Sequence, residues 1–180
     1  RVALSSPAAT GKRTLFCSTG QGVIVPLDAA GNAAEPLVVP GVRIFGIYGG
    51  GPEQAALGQF LGYAPTPEGK NTLVALDPNG RALWNYELPT GVPQTPIDFV
   101  TAAPIGPGQT PYWLLAGPDG SVHWISTAGQ TLERFATGQV LTGLAGLYSP
   151  EEQQTLIVIA GATGVEAKVV EPLETASSRK

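Results

Sequence analysis

The chain holds one histidine, His123, and one cysteine, Cys17, in 180 residues. A single imidazole cannot build a multi-histidine metal site, and a single thiol cannot form a thiolate cluster or an intrachain disulfide. A hydrolytic triad needs a serine or cysteine on a strained elbow, and no G-x-S-x-G stretch is present. His123 lies in "SVHWIS", on a predicted third strand beside Trp124, where an imidazole packs or faces solvent. Cys17, in "TLFCSTG", is expected to be buried and unreactive, which leaves the redox compartment open.

The carboxylates Asp28, Asp77, Asp98 and Asp119 fall at turns, with Glu151 and Glu152 in a loop. Glycoside chemistry needs two such groups facing one cleft, and this spacing does not bring them together. "DPNG" and "GPDG" resemble pieces of a calcium loop but lack its alternating oxygens and terminal glutamate, so they read as type I or I′ hairpin turns. "IYGGGPEQ" has no predicted helix behind it to complete an anion site. "GYAPTPEGK" has six residues between its glycines where a P-loop has four, and Asn71 where a hydroxyl should follow. Trp84, Trp113, Trp124 and Tyr86 sit in predicted strands and are expected to pack between sheets; a sugar or quinone platform is the sharper alternative. No catalytic, metal or cofactor-binding residue is assigned, no cofactor is expected, and no partner-binding residue is singled out.

What must carry these residues follows from composition and periodicity. Ten basic and fourteen acidic residues give a net charge of −4, unlike the basic stripe of a nucleic-acid surface. Glycine (24) and proline (17) are abundant while 43% of residues are hydrophobic, a balance that suits many short strands joined by turns. No apolar run approaches the roughly 18 residues of a membrane span. Arg1 opens no basic-then-apolar leader, and with no methionine the chain is expected to be processed or excised.

Gly31, Gly80 and Gly129 recur at a constant interval of 49 residues, and Asp28, Asp77 and Ser126 keep the same interval. Each turn follows an apolar stretch ("GVIVPL", "TLVAL", "SVHWI") and precedes another ("AEPLVV", "RALWNYEL", "TLERFA"). Glycine turns at Gly41, Gly91 and Gly138 come next, then "VRIFGIYG", "PIDFVTAAPI" and "VLTGLAGLYSP". "RTLFCST", "PYWLLAG" and "TLIVIAG" supply the remaining strand, for which the second unit offers only the poor "AALGQFLGYAP". Four strands per unit at this period is the arithmetic of a propeller blade. The spacing therefore predicts an all-β propeller of four-stranded antiparallel blades over 1–172, divided as 1–40, 41–90, 91–137 and 138–172, with a polar tail at 173–180. Val74, Leu76, Val122, Trp124, Ile157, Ile159, Leu15 and Val25 should form its core.

"TLVALDPNGRALWNYELPTG" resembles a repeat of the quinoprotein-like (PQQ-like) β-propeller family, with Ala75, Asp77, Gly80 and Trp84 on the A-x-D-x-x-x-G-x-x-x-W pattern. The copy is one residue shorter between Asp77 and Gly80, as in members that carry no quinone. In the other units Pro36 or Leu37, and Glu133, stand where the tryptophan would be. The resemblance implies a non-catalytic propeller: a protein-interaction scaffold of the bacterial envelope, periplasmic or extracellular, with a cytoplasmic home left open. A fragment of a quinoprotein-type dehydrogenase and a carbohydrate-binding propeller are the alternatives. The chain reads as about one strand short of a closed ring, so its blades are expected to belong to a larger or multi-chain propeller. More chain, a second polypeptide or a copy of itself would complete them; no nucleic acid is expected as partner.

Overall fold

The computed structural model describes residues 2–4, 14–49, 58–65, 68, 70–90, 100–105 and 110–170. They form four antiparallel sheets, each a simple meander. The first holds β1 (Val2–Leu4), β2 (Leu15–Ser18) and β3 (Ile24–Leu27). The second holds β4 (Gly46–Gly49), β5 (Phe60–Pro65), β6 (Asn71–Leu76) and β7 (Ala82–Leu88). β8 (Val100–Ile105), β9 (Thr110–Ala116), β10 (Ser121–Ile125) and β11 (Thr131–Ala136) make the third, and β12 (Leu141–Ser149), β13 (Gln154–Gly161) and β14 (Gly164–Val170) the last. No helix among the described residues is long and apolar enough to cross a membrane.

The three glycine turns are one structure used three times. The Gly31, Gly80 and Gly129 N–H groups donate to the carbonyls of Asp28, Asp77 and Ser126 at 2.9–3.0 Å. Asp28 Oδ1 accepts from the N–H of Ala30 and Asn32, and Asp77 Oδ1 from those of Asn79 and Arg81. Ser126 Oγ does the same for Ala128 and Gln130 with longer bonds. The glycines have φ of 83°, 82° and 80°, and Pro78 and Asn79 keep negative φ. These are type I turns followed by a glycine bulge, not type I′. A second turn family joins β2 to β3 at Thr19–Gly22 and β9 to β10 at Gly117–Gly120, with φ of 78° and 77° at Gly22 and Gly120.

Alternation in the inner strands feeds two cores. Phe60, Ala64, Val74 and Leu76 of the second sheet pack with Ala3, Phe16 and Ile24 of the first. Leu61, Leu73 and Ala75, of the opposite parity, join the core built with the third and last sheets. Six of the eight expected core residues are buried: Val74, Leu76, Val122, Trp124, Ile157 and Ile159. Leu15 and Val25 are only half-buried, as is Cys17. The register places all three on the face of the first sheet that points away from the second, while Phe16 and Ile24 fill the seam. The stretch read as a poor strand, "AALGQFLGYAP", contains β5, whose Phe60 and Leu61 are buried on opposite sides. The fourth strand of the first unit is reduced to two bridges, Leu27 to Ala33 and Ile24 to Leu37.

Because Leu37 pairs with Ile24 as Tyr86 pairs with Leu73, the register of Trp84 falls on Glu35 in the first unit, not on Pro36 or Leu37. In the third unit it falls on Glu133, as expected. Yet Leu37 covers Gly80 as Trp84 covers Gly129: a Cβ on either glycine would stand 2.8–2.9 Å from the covering side chain. Around Gly31 a Cβ would meet nothing within 4 Å. Gly31→Ala should therefore cost only its strained backbone, about 1 kcal/mol. Gly129→Ala should cost ~1–3 kcal/mol more because Trp84 must move. Urea denaturation of the two variants measures the difference, and equal costs would contradict the seam packing.

Candidate functional site

A chain of hydrogen-bonded polar side chains lies in the seam between the second and third sheets. β10 is buried along its whole length, so its odd-numbered residues Ser121 and His123 face the second sheet while Val122 and Trp124 face the last. The β9–β10 turn brings Asp119 within 2.5 Å of the Ser121 hydroxyl, and Ser121 Oγ lies 2.6 Å from His123 Nε2. From β7, the Tyr86 hydroxyl reaches His123 Nδ1 at 2.7 Å. Arg134 of β11 approaches the other Asp119 oxygen at 3.5 Å.

The donors and acceptors admit one direction. An ionised carboxylate only accepts, so the Ser121 hydroxyl donates to Asp119 and accepts from His123 Nε2–H. His123 Nδ1 is then an acceptor for the Tyr86 O–H. Burial holds the His123 imidazole down to about 4, helped by the Arg134 charge and opposed by Asp119. Partial desolvation pushes the Asp119 carboxyl up, but the hydroxyl and N–H of Ser121, with Arg134, outweigh it and leave it below the usual value. This is the wrong polarity for a nucleophile, since the imidazole carries its proton toward the serine and the serine gives its own to Asp119. With Ser121 2% and His123 1% exposed, neither offers an approach to a substrate. Gly117 makes room for the cluster: a Cβ there would lie 2.4 Å from Ser121 Oγ.

Two further bonds cross the same seam to one acceptor. Trp84 Nε1–H and the Gln59 amide both donate to the Thr127 carbonyl, at 2.9 and 3.0 Å. Trp84 thus lies over Gly129 and is pinned to the turn beside it. Trp113 and Trp124 are buried on opposite faces of the third sheet, so neither is available as a stacking platform. No three His, Cys, Asp or Glu side chains gather among the described residues. Asp28 and Asp77 serve their own turns, while Glu151 and Glu152 are exposed in the turn after β12. Asp98 and most of "GGGPEQ" lie outside the described residues, and "GYAPTPEGK" is described only in part, its first residues in β5. Reasoning from sequence placed His123 on its strand but missed its partners: Tyr86 lies 37 residues away in another sheet, whereas Asp119 and Ser121, at alternate positions before His123, were open to a reading of the strand's alternation.

Two clefts of about 520 and 640 Å³ adjoin on the outside of the first seam, where the first unit lacks a regular fourth strand. Val42, Val74 and Asn85 line both. Val38 and Phe45 stand exposed at their rims, and Arg43 and Arg81 add charge.

The fold has close counterparts among solved structures. Over 93% of its length the chain superposes on BBS1N in complex with ARL6DN (TM-score 0.60, 14% identity) and on the Dos1 propeller (0.59, 14%). It also superposes on BamB from Moraxella catarrhalis over 93% of its length (0.51, 20%). This is a β-propeller fold. The chain spans about half of each of these chains, 50%, 43% and 48% respectively, and so covers part of a larger propeller. No family model matches the sequence, and no curated protein matches it.

The seam cluster makes stability depend on pH. The unfolded chain takes up the His123 proton near 6.5 and the folded chain only near 4. Above 6.5 the contribution is complete, and as pH falls toward 4 it is lost, by about 3 kcal/mol at most. Denaturation midpoints between pH 7 and 4 should therefore fall more steeply for the parent than for His123→Gln. Parallel curves would remove the buried imidazole as the cause.

Proposed function

We propose that this propeller is a non-catalytic scaffold for protein partners, of the quinoprotein-like repeat branch, working in the bacterial envelope. The observation that carries the reading is the use of the polar groups. The sole imidazole, with its hydroxyl and carboxylate neighbours, is spent clamping one sheet to the next. The accessible chemistry is that of a surface: the cleft beside Val38 and Phe45, with Arg43 and Asn85 in its walls. β7 lies at the edge of its sheet beside this cleft, and such an edge offers backbone groups to an extended peptide.

Several likenesses support the reading. Ala75, Asp77, Gly80 and Trp84 keep the repeat pattern, and Trp84 docks on the next turn as that pattern requires. The likeness to BamB favours the same repeat branch and a periplasmic or extracellular home, and BBS1N is a propeller solved with a protein bound. Within the reading, the repeat units run 1–40, 41–90, 91–137 and 138–172, ahead of a polar tail at 173–180.

Two measurements test it. Pyrroloquinoline quinone with calcium should leave the visible spectrum unchanged and support no dye-linked alcohol oxidation; turnover would return the chain to the dehydrogenase reading. Cross-linking in a bacterial envelope extract should capture a protein partner, and Val38→Asp with Phe45→Ser should cut the yield at least five-fold. Capture unchanged by the double variant would move the partner surface elsewhere.

A further inference from the structure

The clefts outside the first seam arise where side chains are smaller than their counterparts one interval later. The second seam has Tyr86, His123 and Arg134. The first has Leu37, Val74 and Asn85, each 49 residues earlier and at the matching pairing position. Tyr86, His123 and Arg134 close their seam through Ser121 and Asp119. Leu37, Val74 and Asn85 leave room, and the two clefts of about 520 and 640 Å³ meet at Val74 and Asn85. Volumes of about 300–1,000 Å³ are those of ligand sites.

The groups around this room have needs the chain does not meet. Val38 is 76% exposed, the most of any large apolar side chain among the described residues, and Phe45 is 41% exposed. The Asn85 side chain has no hydrogen-bond partner among the described residues. Arg81 is spent on Asp77 at 3.4 Å, whereas Arg43 pairs with no described residue. The stem of Arg43 is fixed all the same. It lies over Gly22, where a Cβ would stand 2.6 Å from Arg43 Cβ, and the adjoining Ile44 N–H donates to the Gly22 carbonyl at 2.9 Å. No acidic side chain lines either cleft among the described residues, in a chain with fourteen acidic residues and ten basic.

We propose that an extended acidic segment of the partner protein occupies this room. Its apolar side chains lie between Val38 and Phe45, a peptide group pairs with the Asn85 amide, and a neighbouring carboxylate meets Arg43. A side-chain amide offers one donor and one acceptor to a peptide group at once. A guanidinium takes a carboxylate through two parallel N–H···O bonds, and a stem already held in place loses little freedom on doing so. A small anion would leave Val38 and Phe45 in water. A wholly apolar segment would leave Arg43 and Asn85 unpaired, and a basic one would meet Arg43 with like charge. The acidic, apolar segment alone satisfies all four residues. The inference rests on the scaffold reading and gives its partner surface a chemistry.

The test is selection of random seven-residue peptides, displayed on phage, against the purified chain. Selected peptides should carry aspartate or glutamate beside leucine, valine or phenylalanine, with the acids enriched at least five-fold over the starting library. Arg43→Glu keeps the Cβ and Cγ that lie on Gly22, and should reverse the choice toward lysine and arginine. Arg43→Gln should remove the acidic preference and keep the apolar one, and circular dichroism checks the fold of both. Selection without acids, an acidic preference unmoved by Arg43→Glu, or no selection at all overturns the proposal. Self-association of the parent that Arg43→Glu abolishes would make a second copy the occupant, and overturns it as well. Each of these results removes this inference alone. The scaffold reading fails separately, when envelope cross-linking captures no protein whatever the library selects.

Discussion

Apolar side chains on both faces of the inner strands are the constraint on which the rest of the molecule depends. Leu73 and Ala75 point one way from β6 and Val74 and Leu76 the other, and all four are buried. A single sheet of this kind cannot satisfy both faces. Burying a leucine or valine is worth about 1.5–3 kcal/mol, so each seam outweighs any hydrogen bond that crosses it. Stacking is therefore compulsory, and each sheet is stable only through its neighbours. The peripheral strands are released from the rule: β11, "TLERFA", is exposed along nearly all its length and can be polar.

Within that frame the seams differ in chemistry. The first is mostly apolar, closed by Leu37 over Gly80, with the Ser18 hydroxyl donating to the Phe45 carbonyl at 3.2 Å and the Ile44 N–H to the Gly22 carbonyl at 2.9 Å. The second carries the Tyr86–His123–Ser121–Asp119 chain and the two donors on Thr127. The third adds Lys168 over the Phe135 ring and Thr163 bonded to Gln139. A hydrophobic seam tolerates sliding, whereas a directed chain of hydrogen bonds admits one offset between its sheets. The second seam thus sets the registration of the middle of the arc, and leaving any member of its chain without a partner costs about 1–3 kcal/mol.

Local geometry was legible in the sequence; pairing across sheets was not. The glycine interval announced the turns because only a residue free to adopt φ near 80° serves there. The companion turns at Gly22 and Gly120, two intervals apart, could have been found by the same count. β5 reads as a poor strand because Gly58 and Gly62 dilute its pattern, and Gly62 is there to admit Ile44, whose side chain a Cβ would meet at 2.9 Å. Leu15 and Val25 were given the wrong side because both faces of β2 and β3 are apolar, so alternation alone cannot choose between them. Glu35 rather than Leu37 holds the tryptophan register because the first unit keeps the 49-residue interval through its turn, as the bridges at Ala33 and Leu37 show. Asp119, Ser121 and His123 stand at alternate positions of one turn and strand, but Tyr86 and Arg134 join them from β7 and β11, which no local spacing encodes.

The three equivalent turns differ in what lies above them, and this gives the chain unequal tolerance of new material. Gly129 and Gly80 sit beneath Trp84 and Leu37, so any residue inserted there lifts a seam. The turn at Asp28–Gly31 is exposed, internally bonded through Asp28 and uncovered. It is the hairpin at which the chain can be cut and rejoined, or carry a grafted loop, without disturbing any sheet-to-sheet contact. Lengthening of the chain over its history would accumulate there first, while the other two hairpins keep their lengths.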